Sequence, residues 1–389
     1  MRYSFRLAEL LGHVPDPRKR PGTTKAIVEY TGLDRHQVAA LLKNEVKYIP
    51  LKALSRLCDY LIENGHATAE QLPGALFAIE PESFWELLAR RKRLEICLGV
   101  RQADPQNSTE GAWVVASDSL LMGELLNGVS TLGGTAKFTS LYNGESDDEN
   151  GVVEGKSPHP DHLNQTLVWA PDQGSQDEVQ SRAREVYTRF EETNADRALV
   201  CLGSIKSNPL VDLVLADTFG CKPFESQDNV ALPEDRSCPI YLKYRKTDPQ
   251  PVACSAGTQL SQKNKGKEPG LYYEQTDGTW AHCRWDEPGK DTAFVFYNYR
   301  ESLGRLDMLL GGFSGRATRL LAKTLANRAI EFWPPVYSGQ GMTIGAFIVE
   351  YTIENDGESK RDILRTDFSA TTKVIPLAEN VIARRLLGR

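Results

Sequence analysis

The sequence predicts a two-part α/β protein: an all-α module over residues 1–75, a connecting helix and strand over 76–110, and a larger α/β domain with a mainly parallel sheet over 111–389. Three observations predict it. Apolar residues recur at helical spacing up to residue 64, and from residue 94 onward β-branched and aromatic runs alternate with amphipathic stretches. The charge also divides unevenly: residues 1–72 carry eleven Lys and Arg against eight Asp and Glu, in a chain whose formal charge is −6. A mildly basic head on an acidic body suits a head that approaches phosphates while the body stays clear of them.

In the head, TTKAIVEYTG places Ala26, Ile27 and Val28 on a first helix and Gly32 at the kind of tight interhelical turn that glycine accepts. The next stretch, DRHQVAALLKN, opens on Asp34 as a side-chain cap, with Gln37 three residues on, where a capping box puts its second partner. Val38, Leu41 and Leu42 share one face, so Arg35, His36, Gln37, Lys43 and Asn44 face outward. After NEVKY, the segment IPLKALSRLCDYLIENG gives a third helix with Leu51, Leu54, Leu57, Cys58 and Leu61 on a stripe.

Taken together, Thr23 to Asn64 resembles the Cro/C1-type (phage-repressor-like) helix-turn-helix domain, on the pattern of an apolar helix, TGL, a polar helix start, V-x-x-L-L, a short loop and a leucine-striped helix. The resemblance implies double-stranded DNA as partner, with Arg35, His36 and Gln37 as base readers in the major groove and Thr24, Lys43, Asn44 and Lys47 as phosphate contacts. Gln37 cannot both close the cap and read a base. The chain departs from the pattern at Lys43, Asn44 and Glu45, where the family often has a glycine, and Glu45 brings a negative charge near the phosphates. The competing reading of the same residues is an ordinary helical bundle.

Composition sets outer bounds. The length of 389 residues fits two or three domains, and 40% hydrophobic with 25% charged residues is that of an ordinary globular protein. No run of about 18 apolar residues could span a bilayer, and the start MRYSFRLAELLGH lacks the apolar core of a signal peptide, so the chain reads as cytoplasmic with no membrane partner. The seven cysteines form no C-x-x-C pair, which argues for reduced thiols over a disulfide frame or zinc site. His159 and His162 in HPDH read as part of a solvated turn, and no metal site is assigned.

Beyond the head, PESFWELLARRKR reads as a helix whose basic end either lies along DNA or favours the helix C-terminus. LEICLGV and GAWVVAS read as strands, and SDSLLMGELLNGV as a helix opened by Ser117 or Asp118. Residues 143–165, rich in acidic residues, Gly and Pro, read as a mobile loop. TLVWA, DEVQSRAREVYTRFEET, ALVCLG and NPLVDLVLADTFG then alternate strand, helix, strand, helix, the pattern of a Rossmann-like domain. Strand-rich segments follow, with a hairpin at Thr276 to Gly278, tyrosines 297 and 299 as candidate pocket closers, and a last helix, PLAENVIARRLLGR, that packs back or serves a partner.

Two strand-to-helix turns carry possible ligand chemistry. One holds Gly203, Ser204, Lys206, Ser207 and Asn208; the other holds Gly312, Ser314, Gly315, Arg316 and Thr318. Small hydroxyl and amide groups at the carboxyl ends of buried strands, before helix N-termini, are where open α/β sheets bind ligands and anions. If both turns lie on one edge of the sheet, they flank a cleft for a phosphate or nucleotide. Neither matches a named nucleotide motif, and both are also what a tight turn or a helix cap requires.

The sequence therefore reads as a DNA-binding regulator, homodimeric because one such helix reads only a few base pairs, whose α/β domain senses a small anionic or nucleotide-like ligand. The alternative is a nucleotide-processing effector enzyme that uses the head for targeting, and a third reading has the head bind protein. No catalytic residue is assigned, since there is no G-x-S-x-G elbow and no H-E-x-x-H. No cofactor is assigned either.

Overall fold

The computed structural model describes residues 3–11, 23–102 (except 71, 74 and 75), 111–132, 162–192, 196–224, 238–245 (except 244), 268–285, 289–300, 303–353 (except 340) and 370–387. The head opens with β1 (Tyr3–Phe5) and α1 (Leu7–Leu10), continues through α2 (Thr23–Thr31), α3 (Arg35–Leu42) and α4 (Leu51–Glu63), and closes with β2 (Phe77–Ile79). Strands β1 and β2 pair antiparallel, Tyr3 with Ile79 and Phe5 with Phe77. The helices enclose their own core of Leu7, Ile27, Leu33, Val38, Leu41, Leu42, Leu57 and Leu61. Gly32 takes φ +75° between α2 and α3, a conformation that costs a residue with a Cβ roughly 1–2 kcal/mol. Leu51 departs from the expected stripe: it is 80% exposed, because at helical spacing it lies on the face opposite the buried Ala53, Leu57, Tyr60 and Leu61.

The body begins at α5 (Phe84–Ala89), followed by β3 (Arg93–Gln102), β4 (Ala112–Val114), α6 (Ala116–Thr131), β5 (His162–Trp169), α7 (Gln176–Glu191), β6 (Arg197–Leu202) and α8 (Leu210–Phe219). Next come β7 (Ile240–Lys243), β8 (Gly270–Glu274), β9 (Trp280–Arg284), β10 (Lys290–Arg300), β11 (Arg305–Gly312) and α9 (Gly315–Arg328). The chain then forms β12 (Tyr337–Gly339), β13 (Met342–Ile353), β14 (Ala370–Pro376) and α10 (Glu379–Leu387).

Among the described residues the main sheet has nine strands. Its centre is parallel, in the order β5-β3-β6-β11, as the strand-helix alternation requires. One flank is antiparallel: β10 pairs with β11 and with β13, and β13 also with β12 and β14. The expected mainly parallel sheet thus holds for the central strands, and both flanks are antiparallel, β4 on β3 at one side and β10 with β12 to β14 at the other. β3, which the sequence groups with the connecting segment, lies among the central strands, and Phe84 and Trp85 of α5 share their core.

Strand residues alternate between two cores. Cys97, Leu199, Cys201, Phe294, Phe296 and Leu309 face α7, α8 and α10. Leu94, Ile96, Leu98, Val200, Leu202, Val295 and Leu310 face α5, α6 and α9. Burial on both faces explains why these strands read as nearly unbroken apolar runs. The small sheet β7-β8-β9 adds Ile240, Leu242, Leu271 and Cys283 to the first core, and its Asp277–Gly278 turn has Gly278 at φ +81°.

Several expectations resolve here. Residues 162–165, expected in the mobile loop, form the start of β5; residues 143–161, with His159, lie outside the described residues. The last helix packs back, with Ile382 and Leu386 in the core and Arg384 and Arg385 on Glu274 at 2.7 and 2.5 Å. Of the basic end of α5, Arg90 pairs with Glu86, Arg91 is buried against Asp196 at 2.7 Å and Arg93 pairs with Glu95, while Lys92 is exposed. Tyr297 and Tyr299, read from the sequence as candidate pocket closers, are fully buried. Both are core side chains, the first donating its hydroxyl to the Phe332 carbonyl and the second accepting from Arg91. The six described cysteines are free thiols.

Candidate functional site

α3 is fixed at both ends by hydrogen bonds that the sequence encodes. The Gln37 N–H donates to Asp34 Oδ1 at 2.8 Å and the Asp34 N–H to Gln37 Oε1 at 3.0 Å, a complete capping box. Gln37 is therefore engaged at the cap, and base reading by its carbonyl would require the cap to open. At the other end Lys43 caps the helix, and Asn44 takes φ +59°, the left-handed conformation for which the related pattern uses glycine. Asn44 also accepts the Phe5 N–H, which ties the end of α3 to β1.

Val38, Leu41 and Leu42 point into the core, which leaves Arg35 and His36 exposed at the N-terminal end of the helix. Neither side chain forms a hydrogen bond or ion pair with another described residue. Lys43, Glu45 and Lys47 are exposed along the following loop, and Thr24 is partly buried at the start of α2. Sequence reading passed over Tyr48, which is 75% exposed beside Lys47; an aromatic residue in a short interhelical stretch reads as core until the fold shows otherwise.

The two ligand-candidate turns do lie on one edge. β6 and β11 are parallel neighbours with Leu202 opposite Leu310, and β3 brings Leu98 into the same row. One residue further along come Gly99, Gly203 and Gly311. The backbones there approach so closely that side chains do not fit: a Cβ on Gly99 would lie 1.7 Å from the Ser207 carbonyl oxygen, and one on Gly311 would lie 2.3 Å from the Gly203 carbonyl oxygen.

Most polar groups of these turns are engaged in holding them. Asn208, fully buried, donates to the carbonyls of Cys97 and Leu202 and accepts from the Leu210 N–H. The buried Ser204 accepts the Ser207 hydroxyl at 3.1 Å through its carbonyl. Lys206 lies over the Phe313 ring, 6.0 Å from its centroid, and so links one turn to the other. In the second turn Ser314 caps α9 through the Arg316 and Ala317 N–H groups and donates to Asp291. Arg316 pairs with Asp291 at 3.2 Å, and Thr318 donates to the Ser314 carbonyl while accepting the Gly312 N–H. Burial pushes the Asp291 carboxyl up, against the pull of Ser314 and Arg316.

The third participant is α6. Its first turn starts at Ala116, so Ser117 and Asp118, expected as caps, lie inside the helix and turn inward. Asp118 is 3% exposed, and its carboxyl is pushed up to about 6, first by burial, against the pull of Ser117 and Arg101. Its Oδ1 accepts the Ser117 hydroxyl, and its Oδ2 has no hydrogen-bond partner among the described residues. An acidic residue in a first helical turn is so ordinary that no sequence signal separates this one.

A family model described as the Cro/C1-type HTH DNA-binding domain matches residues 18–62, the segment that contains α2, α3 and nearly all of α4. No curated protein and no solved structure matches the chain. Among the described residues no helix is long and apolar enough to cross a membrane.

Proposed function

We propose that this chain is a sequence-specific transcriptional regulator of the cytoplasm that binds double-stranded DNA as a homodimer, and whose Rossmann-like body senses a small ligand at the glycine-lined sheet edge. The observation that carries the DNA reading is the pair Arg35 and His36, exposed and unengaged at the capped N-terminal end of α3, within the segment that matches the Cro/C1-type domain. That end of the recognition helix meets base edges in such modules. Homodimerisation follows from the reading frame: one helix of this length covers too few base pairs for discrimination, and paired half-sites one helical turn apart supply the rest. The parallel centre of the sheet, with helices on both faces, supports the Rossmann-like reading, and convergence of the two glycine turns with α6 supports a ligand site there.

The test is selection of bound sequences from random duplex DNA by the full chain at two salt concentrations. An inverted repeat is expected. Arg35→Ala should then lower discrimination at one base position, whereas Lys47→Ala should weaken all sequences alike and reduce the salt slope by about 0.9. Recovery of no enriched sequence would sink the regulator reading.

A further inference from the structure

We infer that β5, an open edge of the main sheet, pairs antiparallel with β5 of a second copy, so that two bodies share one sheet across a two-fold axis. The inference rests on the homodimer reading above and names the surface that forms the dimer.

β5 pairs with β3 along its whole length and with no other described strand. The N–H groups of His162 and Ala170 both reach β3, donating to the carbonyls of Lys92 and Val100 at 3.0 Å each. Backbone groups of a strand point alternately to its two sides, so Leu163, Gln165, Leu167 and Trp169 turn their N–H and C=O groups to the open side. There they meet no partner among the described residues.

The side chains of the same four residues share one face. Leu163, Gln165 and Leu167 stand in register with Leu94, Ile96 and Leu98 of the second core. From α6, Met122 reaches this row and accepts the Gln165 side-chain amide at 3.6 Å, yet Leu163, Leu167 and Trp169 stay 49, 50 and 40% exposed. An apolar row thus runs beside a row of open backbone groups.

The opposite edge of the sheet is guarded. β14 carries Lys373 and ends at Pro376, and Arg328 donates to its Thr372 carbonyl at 2.9 Å. Cations and proline are devices by which edge strands refuse further pairing. β5, with the sequence HLNQTLVW, has neither.

Two observations make a second copy the occupant. The body is net acidic, so two copies repel each other least where a strand carries no acid, and β5 carries none. The row is also self-complementary. A two-fold axis at Thr166 sets Leu163 across from Trp169 of the second copy and Gln165 across from its Leu167, so each outward residue meets another and the pair exchanges both N–H···O bonds.

Sedimentation equilibrium of the full chain as wild type, Leu167→Lys and Ile330→Lys tests this. Hydrogen exchange of the wild-type β5 amides, above and below the dissociation constant, accompanies it. Wild type should dimerise. The axis brings both copies of residue 167 to diagonal positions, so Leu167→Lys should weaken association about a hundredfold. Ile330→Lys, at an exposed residue elsewhere on the body, should leave it unchanged. The Gln165 and Leu167 amides should exchange about tenfold more slowly in the dimer, while those of Asn164 and Thr166, which face β3, should be protected in both states.

The proposal is overturned if wild type is a monomer, if Leu167→Lys associates as tightly as wild type, or if Ile330→Lys weakens association equally. It also falls if the Gln165 and Leu167 amides are protected alike at both concentrations, since the chain would then cover its own edge. The exchange measurement needs no variant and stands even if Leu167→Lys fails to fold. A dimer that survives Leu167→Lys removes this surface and leaves the homodimer; a monomer that still enriches one DNA sequence removes the dimer and leaves DNA binding.

Discussion

The parallel strands of the body begin among charges and end among glycines. At their starts, Arg93, Arg197 and Arg305 stand in register across β3, β6 and β11. Arg91 and Arg6 join them on Asp196, at 2.7 and 3.2 Å, while Glu95 pairs with Arg93 and Glu191 with Arg305. At their ends, Gly99, Gly203 and Gly311 bring the backbones together, and the buried carboxylate beside them, Asp118, has one oxygen with no partner. The contrast separates two uses of buried charge. Charge matched within the molecule holds strands in place, whereas a buried carboxylate oxygen with no donor costs stability.

The sharpest way to break this contrast is at the charged end. Asp196→Ala would leave Arg91, 2% exposed, with its carboxylate gone, and should cost about 3–5 kcal/mol in denaturant unfolding. A loss below about 1 kcal/mol would mean that the arginine row does not depend on its acids. Asp118→Asn should act with opposite sign. Because burial raises this carboxyl from 3.8 to about 6, the folded protein holds the proton more tightly than the unfolded chain, and ionisation removes stability as pH rises from about 4 to about 6. Above that window the variant, with nothing to ionise, should be more stable than wild type by up to about 3 kcal/mol; below it the two should coincide.

Smaller changes sharpen the comparison. Gly99→Ala pushes a methyl group into the Ser207 carbonyl and should cost about 1–3 kcal/mol, displacing the turn after β6. A free energy of unfolding equal to wild type would show that the glycine end has slack. Ser314→Ala removes the cap of α9 and one bond to Asp291 and should cost about 1 kcal/mol in denaturant unfolding. No measurable loss would show that α9 does not depend on this cap.

The head was legible almost residue by residue, because its rules are local. Asp34 and Gln37 form the capping box that their spacing announces, and Gly32 takes the turn conformation assigned to it. The body was legible in order and not in pairing. Alternating strands and helices announce the parallel centre, yet no local pattern says that β10 lies between β11 and β13. The ligand-candidate turns show the same limit: their composition is visible, but hydroxyls that cap a helix and hydroxyls that await a ligand look alike in one dimension. A cue was available for the edge itself. Three buried strands reach it through Leu-Gly, at 98–99, 202–203 and 310–311. Asp118 had no such cue, since its burial depends on α6 starting two residues earlier than its polar residues suggest.

The pairing of β1 with β2 has a consequence for how the two halves are put together. The Arg6 N–H donates to the Leu76 carbonyl at 2.8 Å, so the polypeptide leaves for the helices and comes back at nearly the same spot. Everything between is a cassette plugged into a socket with two adjacent contacts. Segments whose ends meet this closely are the ones that tolerate exchange and insertion. A foreign helical module with neighbouring termini could be spliced between residues 6 and 76 without re-routing a strand of the body.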